Sequence, residues 1–185
     1  KLTAGTLADA RFPATLPAIS GANLTNISAG ESNTPSFSVL LNSNQTVSHN
    51  SMTKIQFSNK INDSDSAYDN SSNFRFTVPS GKAGLYCIGY QLYSNGNADV
   101  SEFLSRLFVN GANNTAGKSM INQINENSET NYNWTQHTQQ LVQLAVGDYL
   151  EVYASLYSIG GTSGTLRFNG DTWFKSFFYG YRIHA

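Results

Sequence analysis

FRFTVPSGKAGLYCIGYQLY, residues 74–93, sets two apolar-aromatic runs on either side of a break made of Pro79, Gly81 and Gly84. In the second run Tyr86, Ile88, Tyr90 and Leu92 fall on one face of a strand, because side chains alternate with a period of two. Leu85, Cys87, Gly89, Gln91 and Tyr93 take the other face, so the strand offers water little on either side. A strand of this kind belongs in the middle of a sheet, covered on both faces. It carries no group poised for chemistry.

Working outward, every signal from about Pro35 onward is strand-like. Candidate strands are 36–41, 53–58, 74–78, 84–93, 102–109, 135–145, 149–157, 165–168 and 174–183. The breaks carry turn pairs such as Asn95-Gly96, Asn110-Gly111, Gly147-Asp148, Gly160-Gly161 and Asn169-Gly170. No stretch keeps a helical period. Many short strands with this punctuation predict an all-β protein, a sandwich or jelly roll. The chain divides on this reading into an extended N-terminal segment, 1–30, and a head domain, 31–185. The first segment has no sustained period, and Pro13 and Pro17 disfavour both helix interiors and central strands. Leu7, Phe12, Leu16, Ile19, Leu24 and Ile27 make it apolar for a free linker. Two readings stand: an intertwined stalk buried by partner chains, and an arm packed on its own domain or left flexible.

Composition narrows the partners. Charged residues make up 12% of the 185 residues, with Asn and Ser in their place, against roughly a quarter in an average globular protein. A net charge of −1 supplies no basic footprint for nucleic acid and no polybasic patch for anionic lipid. No apolar run approaches the length of a membrane span. The single cysteine, Cys87, excludes an intramolecular disulfide. No signal-peptide pattern is read, and the start at Lys1 instead of a methionine suggests a fragment or a processed product.

Residues 36–185 resemble the globular head of complement component one-q and its tumour-necrosis-factor relatives. The resemblance runs through Phe37-Ser38-Val39-Leu40, then Ile55-Gln56-Phe57-Ser58-Asn59, then Asp63 and Tyr68. It continues with Phe74, Pro79 and Gly84-x-Tyr86-x-Ile88-x-Tyr90, then Val109-Asn110-Gly111 and Leu144-x-x-Gly147-Asp148-Tyr149-x-Glu151-Val152. It ends in Phe178-x-Gly180-Tyr181-x-Ile183. Ile88 stands where the family usually has an aromatic, and the spacing around 68–84 departs by loop-sized insertions and deletions. The resemblance implies a ten-stranded jelly roll with its termini close together, assembled as a tight threefold homotrimer. Independently, Tyr149, Tyr153 and Tyr157 share a strand face with Glu151 and Ser155, opposite Leu150, Val152, Ala154 and Leu156. Aromatic rings with one polar tip suit an interface, so these tyrosines are candidates for the trimer contact, with solvent-facing residues or a ligand surface as the alternatives. RFPATLPAISGANLTNI, residues 11–27, resembles shaft segments of bacteriophage tail fibres.

Candidate catalytic groups fare poorly. His49, His137 and His184 are far apart with no second ligand at metal spacing, and one cysteine cannot build a zinc site. Asp63, Asp65 and Asp69 invite a calcium reading, but Tyr68 and Phe74 occupy the positions where an EF-hand needs Gly and Glu. An irregular calcium site is the remaining form of that idea, against a solvated loop; no cofactor is expected. GANNTAGKS, 111–119, misses the phosphate-loop spacing by one residue and no helix follows it. No Gly-x-Ser-x-Gly elbow occurs. Cys87 reads as a buried, inert thiol. The sequons at Asn23, Asn26, Asn44, Asn62, Asn70, Asn113 and Asn133 follow from an Asn- and Ser-rich composition.

The amide-rich segment 110–134 reads as a long loop, and loops on a rigid scaffold are where binding usually sits. Asn131, Tyr132, Asn133 and Trp134 at its end, with Trp173 in a second loop, are the candidate receptor contacts, set against loop packing with both tryptophans in the core or trimer seam. The expectation is a non-enzymatic, trimeric virion head of a phage-type tail fibre, extracellular, attaching to a host-surface glycan or protein. A secreted or cell-surface bacterial adhesion or coat domain is the alternative, and a glycan depolymerase a third.

Overall fold

In a computed structural model the chain divides into two units, Lys1–Glu31 and Ser32–Ala185. The structure describes residues 33–95, 100–112, 121–125, 133–158, 160–161, 163–166 and 175–185. All regular structure among them is strand, in the order β1 (Ser36–Leu40), β2 (Gln45–Val47), β3 (Thr53–Lys54), β4 (Asn59–Asp63), β5 (Tyr68–Asp69), β6 (Arg75–Thr77) and β7 (Gly84–Asn95). There follow β8 (Val100–Val109), β9 (Ile121–Asn125), β10 (Asn133–Leu144), β11 (Tyr149–Ser158), β12 (Gly164–Leu166) and β13 (Phe177–His184). Among the described residues no helix is long and apolar enough to cross a membrane.

The strands form two antiparallel sheets. One runs β2-β12-β7-β13-β1-β4, with β10 on the remaining edge of β7; the other runs β5-β6-β11-β8-β9, with β3 also on β11. Thus β7 lies inside its sheet, in register with β10 along its whole length and with β13 from Leu85 to Gln91. Tyr86, Ile88, Tyr90 and Leu92 turn into the core, and Cys87 and Tyr93 on the opposite face are also buried. Part of that cover is the Tyr179 ring, so close over Gly89 that an added Cβ would lie 2.6 Å from it. The sequence pattern of a strand covered on both faces is met.

The core fills the space between the sheets. Phe37 stacks on Phe76 across it at 4.5 Å and meets Phe178 edge-on at 4.9 Å. Leu150, Val152, Ala154 and Leu156 line the inside of the sandwich together with Phe103 and Leu107 of the neighbouring β8. Two buried polar links tie the layers together. The Tyr90 hydroxyl lies 3.1 Å from Ser105 Oγ, and Gln136 Nε2 donates to the Phe103 carbonyl at 2.6 Å.

Several expectations are adjusted. Residues 53–58 supply only the two-residue β3, although Ile55 and Phe57 beyond it are fully buried. Phe74 precedes β6 in the left-handed region, φ 49°. Segment 110–134 is not one loop: β9 lies within it, and Asn133 and Trp134 already belong to β10. At its start the turn is as expected, since Asn110 and Gly111 both have positive φ and Val109 and Ala112 exchange two backbone hydrogen bonds. That is the two-residue hairpin an Asn-Gly pair favours.

Candidate binding surface

Two sheet faces look outward, and strand alternation decides what each displays. On β11 the buried and outward positions alternate about the inward Leu and Val residues, and β8 places Glu102, Leu104, Arg106 and Phe108 on the same outer face. Glu151 lies in the middle of that face yet is only 5% exposed. Its Oε1 takes a hydrogen bond of 2.6 Å from Lys54 Nζ, which also donates to the Asn73 carbonyl at 3.2 Å. Burial works to lower the Lys54 pKa, but the hydrogen bond and the charge of Glu151 outweigh it and hold the ammonium above its ordinary value. Burial, and then the charge of Glu151, push the Tyr153 phenol up.

The tyrosines of β11 are placed as the alternation predicts, but two have cover from their own chain. The Arg75 guanidinium sits 4.2 Å from the centre of the Tyr149 ring, and Phe108 stacks on Tyr153 at 4.1 Å. Tyr157 is 48% exposed, with the His49 ring 4.9 Å away. His49 Nδ1 accepts from the Ser158 N–H at 3.2 Å, a structural role for this histidine.

The outer face of the other sheet carries Phe177, Tyr179 and Tyr181 from β13 beside His137, Gln139 and Leu141 from β10. Leu141 is 57% and Tyr181 44% exposed. Tyr179 donates to Gln139 Oε1 at 3.0 Å, and Gln139 Nε2 reaches Cys87 Sγ at 2.7 Å. The cysteine is therefore held beneath this face rather than offered to solvent. Sequence reasoning overlooked this row, although its signal is in FFYGYRI: Phe177, Tyr179, Tyr181 and Ile183 alternate with Phe178, Gly180 and Arg182.

Of the expected receptor contacts, Asn131, Tyr132 and Trp173 lie outside the described residues. Asn133 and Trp134 open β10, and Trp134 is half-buried against the core, its ring 6.4 Å from Phe103. The three candidate calcium carboxylates are engaged within their own loop. Asp63 Oδ1 accepts from the Ala67 N–H at 2.8 Å, and its Oδ2 pairs with Lys60 at 3.0 Å. Asp65 takes the Ser64 hydroxyl at 2.6 Å. Asp69 accepts from the N–H groups of Ser72, Ser71 and Asn73, and those bonds hold its carboxyl well below the usual range. Among the described residues no group of three His, Cys, Asp or Glu side chains is arranged to hold a metal ion.

No known family model matches the chain, and no relative among curated proteins does. Solved structures do. The globular domain of zebrafish complement 1qA is similar over 82% of this chain and 98% of its own, at 16% identity and a TM-score of 0.55. The Eiger TNF of S. frugiperda is similar over 80% of this chain and 92% of its own, at 13% identity and a TM-score of 0.57. The fold is the complement one-q and TNF jelly roll. That likeness concerns the fold; the tail-fibre resemblance of residues 11–27 lies outside the described residues.

Proposed function

We propose that this chain is a non-enzymatic binding head that assembles as a homotrimer, the distal part of a phage-type tail fibre that attaches to a host-surface glycan or protein outside the cell. The observation that carries the assembly is the aromatic outer face of the seven-stranded sheet, where Tyr181 and Leu141 stand exposed beside Tyr179 and Phe177. Apolar side chains that belong in contact with another surface, on a jelly roll of this type, favour a second copy as the cover. Tyr149 and Tyr153, also candidates for this contact, have less need of it, because Arg75 and Phe108 of the same chain cover them. The non-enzymatic reading is supported by the state of the carboxylates. Asp63 and Asp69 cap loop N–H groups and Glu151 is held by Lys54, so none of them is poised as a general acid. The attachment role rests on the resemblance of residues 11–27 to fibre shafts.

Light scattering tests the assembly. The expected mass is three times the 20.2 kDa chain, and Leu141→Asp with Tyr181→Asp is expected to reduce it to one. A wild-type monomer at micromolar concentration refutes it. Attachment is tested by binding to intact candidate host cells, comparing wild type with Tyr132→Ala and Trp134→Ala; undiminished binding in both removes that segment from the contact.

A further inference from the structure

The outer face of the six-stranded sheet gathers three cations among three aromatic rings. Lys54 of β3 and Arg106 of β8 both lie directly opposite Tyr153, so the three residues form one row across three strands. Phe108 stacks on Tyr153 next to that row, and Arg75 of β6 lies over Tyr149. The carboxylates on the same face are already engaged or distant. Glu151 is bonded to Lys54, Asp69 opposite Arg75 is taken by the N–H groups of its own loop, and Glu102 lies at the far end opposite Tyr157. Neither of the two salt bridges among the described residues uses Arg75 or Arg106. Arg106 Nε makes no hydrogen bond within the protein.

We propose that this face binds a carboxylated saccharide, with Arg106 and Arg75 taking its carboxylates beside the aromatic row of Tyr149, Tyr153 and Phe108. A guanidinium meets a carboxylate with two parallel hydrogen bonds, which makes arginine the cation suited to this class of ligand. Tyr149 and Tyr153 are four residues apart on one strand, about 13 Å. Arg75 reaches Tyr149 from β6 on one side of β11 and Arg106 lies opposite Tyr153 in β8 on the other, so the pair suits charges on successive parts of an acidic oligosaccharide rather than one small anion. A nucleic acid fits less well, because Glu102, Glu151 and Asp69 interrupt any continuous positive track. The inference rests on the binding-head reading and names its ligand class, but it does not need the trimer.

Titration calorimetry with short oligogalacturonates, and with the same oligomers fully methyl-esterified, tests it. The acid form is expected to bind, more weakly as salt rises, and the ester about tenfold or more less tightly. Arg106→Gln and Arg75→Gln are each expected to weaken the acid form about tenfold while keeping the folded far-UV circular dichroism spectrum and the assembly state of wild type. Equal affinity for acid and ester overturns the inference. So does wild-type protein that binds neither, or undiminished binding in both variants; if one variant fails to fold, the other decides. Light scattering on the same samples separates the two readings. A trimer that binds neither oligomer overturns this inference alone, and a monomer that distinguishes acid from ester supports it while refuting the assembly.

Discussion

Glu151 shows why a charge on an outward strand position can be as constrained as a core residue. It is 5% exposed, and Lys54 is bonded to it at 2.6 Å. Removing one partner strands the other, whereas removing both does not. Lys54→Met is therefore expected to destabilise the protein by about 2 kcal/mol in urea denaturation. Lys54→Met with Glu151→Leu is expected to recover most of that loss. Recovery failing in the double variant would show that the packing of the lysine stem, not the pair, matters. Asp69 supplies a pH-dependent counterpart. Its carboxyl is held down by N–H groups of its loop, so its contribution is present above the unfolded pKa, about 3.9, and is lost as pH falls through the lower folded value. Asp69→Asn is expected to flatten the acid limb of a stability-against-pH curve below about pH 4. At this scale the sequence named the three aspartates, but their use was not legible. Whether a carboxylate meets a cation or a backbone N–H depends on the path of its loop.

The central strand β7 was legible because both of its faces are apolar, a pattern that only a doubly covered strand tolerates. β4 (NKIND) and β9 (INQIN) were not, because polar residues dominate both and their pairing is supplied by the neighbours β1 and β8. Trp134 illustrates the same limit. Its amide-rich surroundings read as the end of a loop, with a strand expected from residue 135, yet β10 already begins at Asn133. Between the elements, Tyr90 and Ser105 join β7 to β8 through one buried hydrogen bond, and burial pushes the Tyr90 phenol up to about 12. Tyr90→Phe is expected to cost about 1 kcal/mol by leaving Ser105 without its partner. Ser105→Ala in the same chain is expected to restore part of it, as a double-mutant cycle would measure. Gly84 begins β7 at φ 151°, where an added Cβ would lie 2.1 Å from the His184 carbonyl oxygen. Gly84→Ala is expected to cost more than about 1 kcal/mol and to lower the melting temperature, because a backbone contact cannot move aside as a side chain can. An unchanged melt would mean that β13 frays there without consequence.

For the whole molecule, assembly and stability are linked. If three copies cover the Tyr181 and Leu141 face, the melting temperature is expected to rise with protein concentration, and to lose that dependence in the Leu141→Asp, Tyr181→Asp variant. Scanning calorimetry over a hundredfold concentration range checks this. Sequence by itself determined the all-β class, the identity of the central strand, the Asn110-Gly111 hairpin and the separation of β11 into an apolar and a tyrosine face. Each follows from local alternation or from the backbone preference of a few residues, and those are written along the chain. Only the tertiary structure decided what covers each face: Arg75 over Tyr149, Phe108 on Tyr153, Lys54 on Glu151, and little over Tyr181 and Leu141. Cover is a property of strands brought together from distant parts of the chain. Alternation tells which side chains share a face, but strand order and register tell which of them meet.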